Sequence, residues 1–179
     1  RYRAGNLIIS GFDCSMVLEE RLLPLGFRVK RERVGDDFIA NRVKNESAVL
    51  GVERSGHFFL PEFQYSDDPF AMSLALAEVV SGGERLSEIA DAIPDFPYVE
   101  HSIQLTAPTE VVMGRLAERL ARLEPDTTDG LKVTTEDYAV LVRPSNTEPK
   151  IRLYAEARHG DVNSLKEEYE RLIREAMQI

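Results

Sequence analysis

One rhythm governs the first third of the chain: a short apolar run, a helix-length segment, then another short run. Leu7-Ile8-Ile9 reads as a buried strand, and Ser15 to about Leu23 as a helix with Ser15 at its N-cap. Pro24 and Gly26 close that helix, and Phe27 to Arg31 alternates as a second strand. Val34-Gly35-Asp36-Asp37 is turn-like, Phe38 to about Glu46 is helical, and Ala48 to Val52 is strand-like again. Strand, helix, strand, helix, strand at this spacing predicts an α/β domain built on β-α-β units.

The rhythm then changes. A loop from Glu53 to His57 leads to a strand at Phe58-Phe59-Leu60. Asp68-Pro69 is a strong helix start, because the aspartate caps free N–H groups and proline at the first position loses nothing. That helix is expected to stop at Gly82-Gly83, and Leu86 to Ile93 forms one more. Pro94-Asp95-Phe96-Pro97 breaks the pattern, so the domains are expected at 1–97 and 98–179. In the second part, Val112, Leu116, Leu120 and Leu123 make an apolar helical stripe. Asp129-Gly130 marks a turn between short extended segments, Tyr138–Val142 and Ile151–Ala157 alternate as strands, and residues 162–177 form a closing helix. Strands with helices over one face predict a small α+β domain.

Composition narrows the function. The 179 residues carry a net charge of −9, which disfavours a general nucleic-acid surface. No apolar run approaches the roughly 18 residues that span a bilayer, and no leader pattern marks secretion. The single cysteine, Cys14, makes neither an internal disulfide nor a cysteine metal site, which suits the cytoplasm. Arg1-Tyr2-Arg3 runs almost directly into a strand without an initiator methionine, as expected of a piece of something longer.

Three stretches carry chemistry. In Arg143-Pro-Ser-Asn-Thr-Glu-Pro149, Arg143 offers a planar fork of donors, Ser145 and Thr147 add hydroxyls, and Asn146 adds an amide. Arg152 lies just past the loop and could face the same ligand. These groups suit a tetrahedral anion; they equally fit an Asx or Ser/Thr turn that satisfies its own backbone. In Gly51-Val-Glu-Arg-Ser-Gly-His57, carboxylate, hydroxyl and imidazole are groups that bind sugar hydroxyls, and they also fit a solvated turn. Arg33 and Asp36 flank Val34-Gly35, which on its residues alone is an ordinary turn. His57, His101 and His159 are scattered and predict no metal site, and Asp67-Asp68 is explained by helix capping. No P-loop, dinucleotide fingerprint or hydrolase serine elbow is present, and nothing looks like an activated nucleophile.

Together these stretches resemble the α-D-phosphohexomutases, which include phosphomannomutase, phosphoglucomutase and phosphoglucosamine mutase. Arg143–Pro149 with the following Lys-Ile-Arg-Leu-Tyr-Ala-Glu is similar to their phosphate-binding loop, and Gly51–His57 to their sugar-binding loop. Val34-Gly35-Asp36 and Asp129-Gly-Leu-Lys132 match further family stretches in the right order. The resemblance implies the third and fourth of four domains: an α/β domain with a mostly parallel mixed sheet, then a TATA-binding-protein-like α+β domain. It implies that Glu53, Ser55, Gly56 and His57 contact sugar hydroxyls, with Arg33 and Asp36 as weaker carry-overs. Arg143, Ser145, Asn146 and Thr147 would hold the phosphate that is not being transferred.

The family's nucleophilic serine and its Asp-Gly-Asp-x-Asp-Arg magnesium motif are absent, so neither catalytic residues nor metal ligands are expected here. Val52 stands where many members have glycine, Arg54 fills a variable position, and Pro69 replaces a common glycine. The implied protein is a magnesium-dependent phosphoprotein that interconverts hexose 1- and 6-phosphates through a sugar bisphosphate, which also activates it. This chain would be its recognition half, inactive alone, with a phosphosugar and the missing N-terminal domains as partners and no nucleic acid or membrane. The alternative is a stand-alone sugar-phosphate-binding module without catalysis. The sugar loop does not distinguish glucose, mannose and glucosamine phosphates.

Overall fold

The computed structural model describes residues 2–3, 5–145 and 147–178. They form two compact units, Arg1–Asp95 and Phe96–Ile179. The first unit begins with β1 (Leu7–Gly11), buried at every position, as a continuous apolar run in a parallel sheet must be. After α1 (Val17–Leu22) comes β2 (Arg28–Glu32), then α2 (Asp36–Asn45), β3 (Leu50–Val52) and β4 (Phe58–Phe59). The sheet order is β2-β1-β3-β4. β2 and β3 flank β1 in parallel, and β4 closes the edge antiparallel to β3. This is the mostly parallel mixed sheet expected from the sequence.

Helix α2 covers one face of that sheet. Its acidic first turn (Asp36, Asp37) and basic last turn (Arg42, Lys44) complement the helix dipole. Its Ile39 and Val43, spaced by one helical turn, pack with Leu7, Ile9 and Phe59. Gly51 lies beneath it, paired with Ile9 on one side and Phe59 on the other. A Cβ there would stand 2.8 Å from both Ile39 Cγ2 and Val43 Cγ2, so a glycine lets the helix come this close. Helices α3 (Pro69–Ser81) and α4 (Leu86–Asp91) complete the unit. The Asp68 carboxylate accepts from the Ala71 N–H at 2.9 Å and Pro69 occupies the first turn, the start read from the sequence.

The second unit consists of β5 (Tyr98–Gln104), α5 (Thr109–Leu120), a 3-10 turn (Ala121–Leu123), β6 (Leu131–Thr134), β7 (Tyr138–Pro144), β8 (Lys150–Ala157) and α6 (Val162–Met177). The four strands are antiparallel in the order β5-β8-β7-β6. Val142, Ile151, Leu153 and Ala155 pack with Val112 and Leu116 of α5 and with Tyr169 and Ile173 of α6. Both helices therefore cover one sheet face, as the period-2 alternation of β8 requires. Asp161 caps α6 by accepting from the Asn163 and Ser164 N–H groups.

Two local expectations fail. Leu123 does not extend the α5 stripe: it is 44% exposed, because the 3-10 turn rotates each residue further than an α-helix does. Met16, not Ser15, stands at the α1 N-cap; the Ser15 hydroxyl accepts from the Val17 N–H at 3.0 Å, one residue early.

Candidate functional site

The loops after β1, β2 and β3 emerge from one edge of the first sheet. The chain leaves β1 for β2 on one side and returns to β3 on the other. In open α/β sheets ligands bind at such a switch point, beside the carboxyl ends of the strands. Residues 53–57 lie there, directly after β3.

Glu53 organises this edge. Its carboxylate is 97% buried, and Oε1 accepts from the Gly35 N–H at 2.7 Å, at the start of α2. Oε2 lies 2.9 Å from His57 Nδ1 and accepts from the Ser55 hydroxyl at 3.3 Å. The loop folds back so that the Glu53 N–H donates to the His57 carbonyl at 3.0 Å and the Gly56 N–H to the Glu53 carbonyl at 3.1 Å. A buried carboxylate needs such partners, and the positive end of α2 adds to them. Asp36 joins from the α2 side, its Oδ1 3.0 Å from His57 Nδ1. On its residues alone Val34-Gly35-Asp36 is an ordinary turn, and only the resemblance carries Asp36 toward the sugar loop; the parallel pairing of β1 with both β2 and β3 brings the turn to Glu53.

His57 Nδ1 thus faces Glu53, Asp36 and, at 3.2 Å, Ser55. Its pKa is raised, chiefly by the Glu53 hydrogen bond and further by the Asp36 and Asp67 carboxylates, against a lowering from burial. The Asp36, Glu53 and His57 ligand atoms lie within 4.8 Å of one another, a convergence the linear spacing hides. Their separations from Nδ1 are those of hydrogen bonds.

Other residues take different places. The Arg33 guanidinium lies over the Phe38 ring, 5.7 Å from its centroid, and Arg33 N–H donates to Glu32 Oε1. Arg31, which sequence reasoning passed over, binds the loop after β1. Its Nη1 donates to the Gly11 and Cys14 carbonyls at 3.0 and 2.7 Å, and its Nη2 to the Ser15 carbonyl at 2.8 Å. Glu19 holds the same guanidinium through Nε at 2.7 Å. The signal was faint: a lone arginine in an alternating strand.

In the second unit the candidate loop joins β7 to β8. Arg143 is 93% buried, and its Nε lies 3.1 Å from Asp129 Oδ2. The Gly130 turn makes this fit possible: its φ is +89°, and a Cβ would stand 2.4 Å from the Val142 carbonyl and 2.8 Å from Arg143 Cα. Arg152 pairs directly with Arg143 across the two strands, on the face away from the helices. Arg152 stands 3.5 Å from Glu100, and its pKa is raised further, first by hydrogen bonding to Tyr154. Ser145 N–H donates to the Lys150 carbonyl at 2.9 Å, and Ser145 Oγ accepts from Thr147 N–H at a long 3.4 Å. The Ser/Thr turn is thus present but weak, and Thr147 is exposed. Asn146 lies outside the described residues.

These features coincide with a known family. Residues 1–96 match phosphoglucomutase/phosphomannomutase α/β/α domain III, and residues 105–172 match the phosphoglucomutase/phosphomannomutase C-terminal domain. The chain belongs to the phosphoglucomutase/phosphomannomutase family, as part of an α-D-phosphohexomutase. It is 32% identical to phosphoglucosamine mutase of Methanocaldococcus jannaschii over 98% of its own length and 41% of that protein. A phosphoglucomutase/phosphomannomutase family protein of Burkholderia thailandensis superposes with a TM-score of 0.83 at 23% identity, covering 97% of this chain and 38% of that one. N-acetylphosphoglucosamine mutase of Aspergillus fumigatus, solved in complex with GlcNAc-6P and magnesium, superposes with a TM-score of 0.64 at 14% identity, covering 96% and 39%. The chain spans about two-fifths of the length of such relatives. Among the described residues, no helix is long and apolar enough to cross a membrane.

Proposed function

We propose that this chain is the substrate-recognition half of a phosphohexomutase, interconverting hexose 1- and 6-phosphates through a phosphoserine enzyme and a sugar bisphosphate. The observation that carries the reading is the Arg143–Arg152 pair. Each arginine has one carboxylate neighbour, Asp129 for Arg143 and Glu100 for Arg152, and the two stand at one register position, where a doubly charged phosphate would meet both guanidiniums. Arg143 Nε lies 3.1 Å from Asp129 Oδ2, and its guanidinium carries the planar fork of donors that matches two phosphate oxygens. Ser145, Asn146 and Thr147 add donors from the loop.

Glu53, Ser55 and His57 read the sugar hydroxyls. Glu53 accepts from a hydroxyl, Ser55 donates or accepts, and the proton on His57 Nδ1 stays between Glu53 and Asp36. Gly56 leaves room for the ring, while Arg33 and Asp36 lie at the margin of this cluster. A set that recognises hydroxyls and one phosphate can take the sugar in either orientation, as a bisphosphate that turns round requires. The phosphoserine and the magnesium ligands belong to the N-terminal domains. Magnesium there supplies charge neutralisation during phosphoryl transfer. The Asp36–Glu53–His57 cluster offers an imidazole where magnesium prefers oxygen ligands, so it is a poor site for that ion. Positioning by this chain contributes to the rate by holding the sugar in a reactive pose.

The test is turnover by the whole protein with glucose, mannose and glucosamine phosphates, a sugar bisphosphate activator being present. Conversion of any of them supports the reading. Binding without conversion indicates a sugar-phosphate-binding module, and no binding overturns the reading.

A further inference from the structure

Arg31 commits its whole guanidinium to one corner of the first unit. Nη1 donates to the Gly11 and Cys14 carbonyls, Nη2 to the Ser15 carbonyl and Glu19 Oε2, and Nε to Glu19 Oε1. A guanidinium has five N–H donors, and all five are engaged. The side chain is 16% exposed, so solvent weakens these bonds less than it weakens a surface pair. With its donors taken, Arg31 holds backbone rather than a ligand. The register explains its reach. Arg31 pairs with Ser10 on one side of β1 and Val52 pairs with Ser10 on the other, so the three stand in one row across the sheet. Alternation sets that row on the face opposite Gly51 and α2. Beyond it the Phe12 N–H still donates to the Glu32 carbonyl at 2.9 Å, and the chain then turns toward α1. In that turn the Cys14 thiol donates weakly, at 3.8 Å, to the Val52 carbonyl, one residue before Glu53.

We infer that Arg31 is a positioning residue for the loop 53–57: it fixes the loop between β1 and α1, which in turn braces the start of the sugar loop through Cys14. This rests on the reading of residues 53–57 as the sugar-binding loop. Cys14 is the joint, its carbonyl held by Arg31 and its thiol set on Val52. From the other side the Gly35 N–H anchors the Glu53 carboxylate. Held from both sides, Glu53, Ser55 and His57 keep one arrangement before a sugar arrives, and binding does not have to order them. A lysine at position 31 keeps a charge facing Glu19 but has three donors on a flexible stem. It cannot satisfy three carbonyls and both oxygens of a carboxylate together.

The test compares the whole protein with its Arg31→Lys and Glu19→Gln variants. Asp161→Ala, which uncaps α6 in the other unit, controls for lost stability. Alkylation of Cys14, read by peptide mass spectrometry, and hydrogen–deuterium exchange of residues 53–57 report on the brace without turnover. In Arg31→Lys both should quicken on the order of 10-fold, and in Glu19→Gln by less, because the three carbonyl bonds remain. The kcat/KM for the hexose phosphate should fall on the order of 10- to 100-fold in Arg31→Lys, while Asp161→Ala melts lower with kcat/KM unchanged. Unchanged labelling and exchange in a folded Arg31→Lys protein overturns the proposal. So does faster labelling of Cys14 with no change at residues 53–57, or an equal fall of kcat/KM in Asp161→Ala. If Arg31→Lys does not fold, Glu19→Gln decides by the same readouts. A wild-type protein that turns over no hexose phosphate overturns the functional reading, and labelling with exchange still decides the brace.

Discussion

Arg143 and Arg152 lie directly opposite one another on β7 and β8, and Asp129 holds the more buried of the two. Asp129 stands beside Arg143 and Glu100 beside Arg152, so each guanidinium has one carboxylate neighbour in a protein whose net charge is −9. The loop proposed to grip the phosphate joins the two strands that carry this pair.

Asp129→Ala should therefore be costly without touching the loop itself. Both side chains of the pair are largely buried, 8% and 14% exposed, and removing one partner strands the other. Urea denaturation should show a loss of about 3 kcal/mol. A loss below about 0.5 kcal/mol, the size of an ordinary surface substitution, would show that the pair does not hold Arg143.

His57 sets a pH dependence. Its folded pKa lies above the unfolded one because Glu53, then Asp36 and Asp67, favour the protonated ring. Its contribution to stability is thus complete below the unfolded value of about 6.5 and is lost as pH rises through the raised folded value. Glu53→Gln removes the largest cause and should bring the NMR titration of His57 back toward the ordinary imidazole range. A wild-type His57 that titrates at or below that range contradicts the arrangement.

Gly51→Ala probes the closeness of α2 to the sheet. The added methyl meets Ile39 and Val43 at 2.8 Å and Phe59 Cβ at 3.0 Å, inside a packed core. A loss of about 1–3 kcal/mol on denaturation is expected. No measurable loss would mean that α2 lifts freely from β3.

Much of this was legible from pattern alone. The alternation of short apolar runs and helices gave the parallel sheet, and the Asp68-Pro69 and Gly82-Gly83 signals bounded α3, because capping and φ restriction are local chemistry. The Glu53–His57 loop and the Arg143 loop could be named from residue types at short spacing. What was hidden depends on register and crossover. Asp36 and Arg152 were candidates in the sequence, but their contacts were not: Asp36 meets His57 because β3 pairs beside β1, and Arg152 stands opposite Arg143 through the β7–β8 pairing. Leu123 fooled the helical stripe because a tightened last turn leaves no trace in apolar spacing.

The most direct measurement is the Michaelis constant of the whole protein for its hexose phosphate after Arg143→Ala. Charge-assisted hydrogen bonds to a phosphate are worth about 1.5–3 kcal/mol, so KM should rise on the order of 10- to 100-fold. Arg143→Lys should recover part of this, since an ammonium keeps the charge but not the fork. A thermal melt must show that each variant is folded, because the substitution also leaves Asp129 without its partner. A folded Arg143→Ala protein with unchanged KM would contradict the assignment of this loop as the phosphate grip.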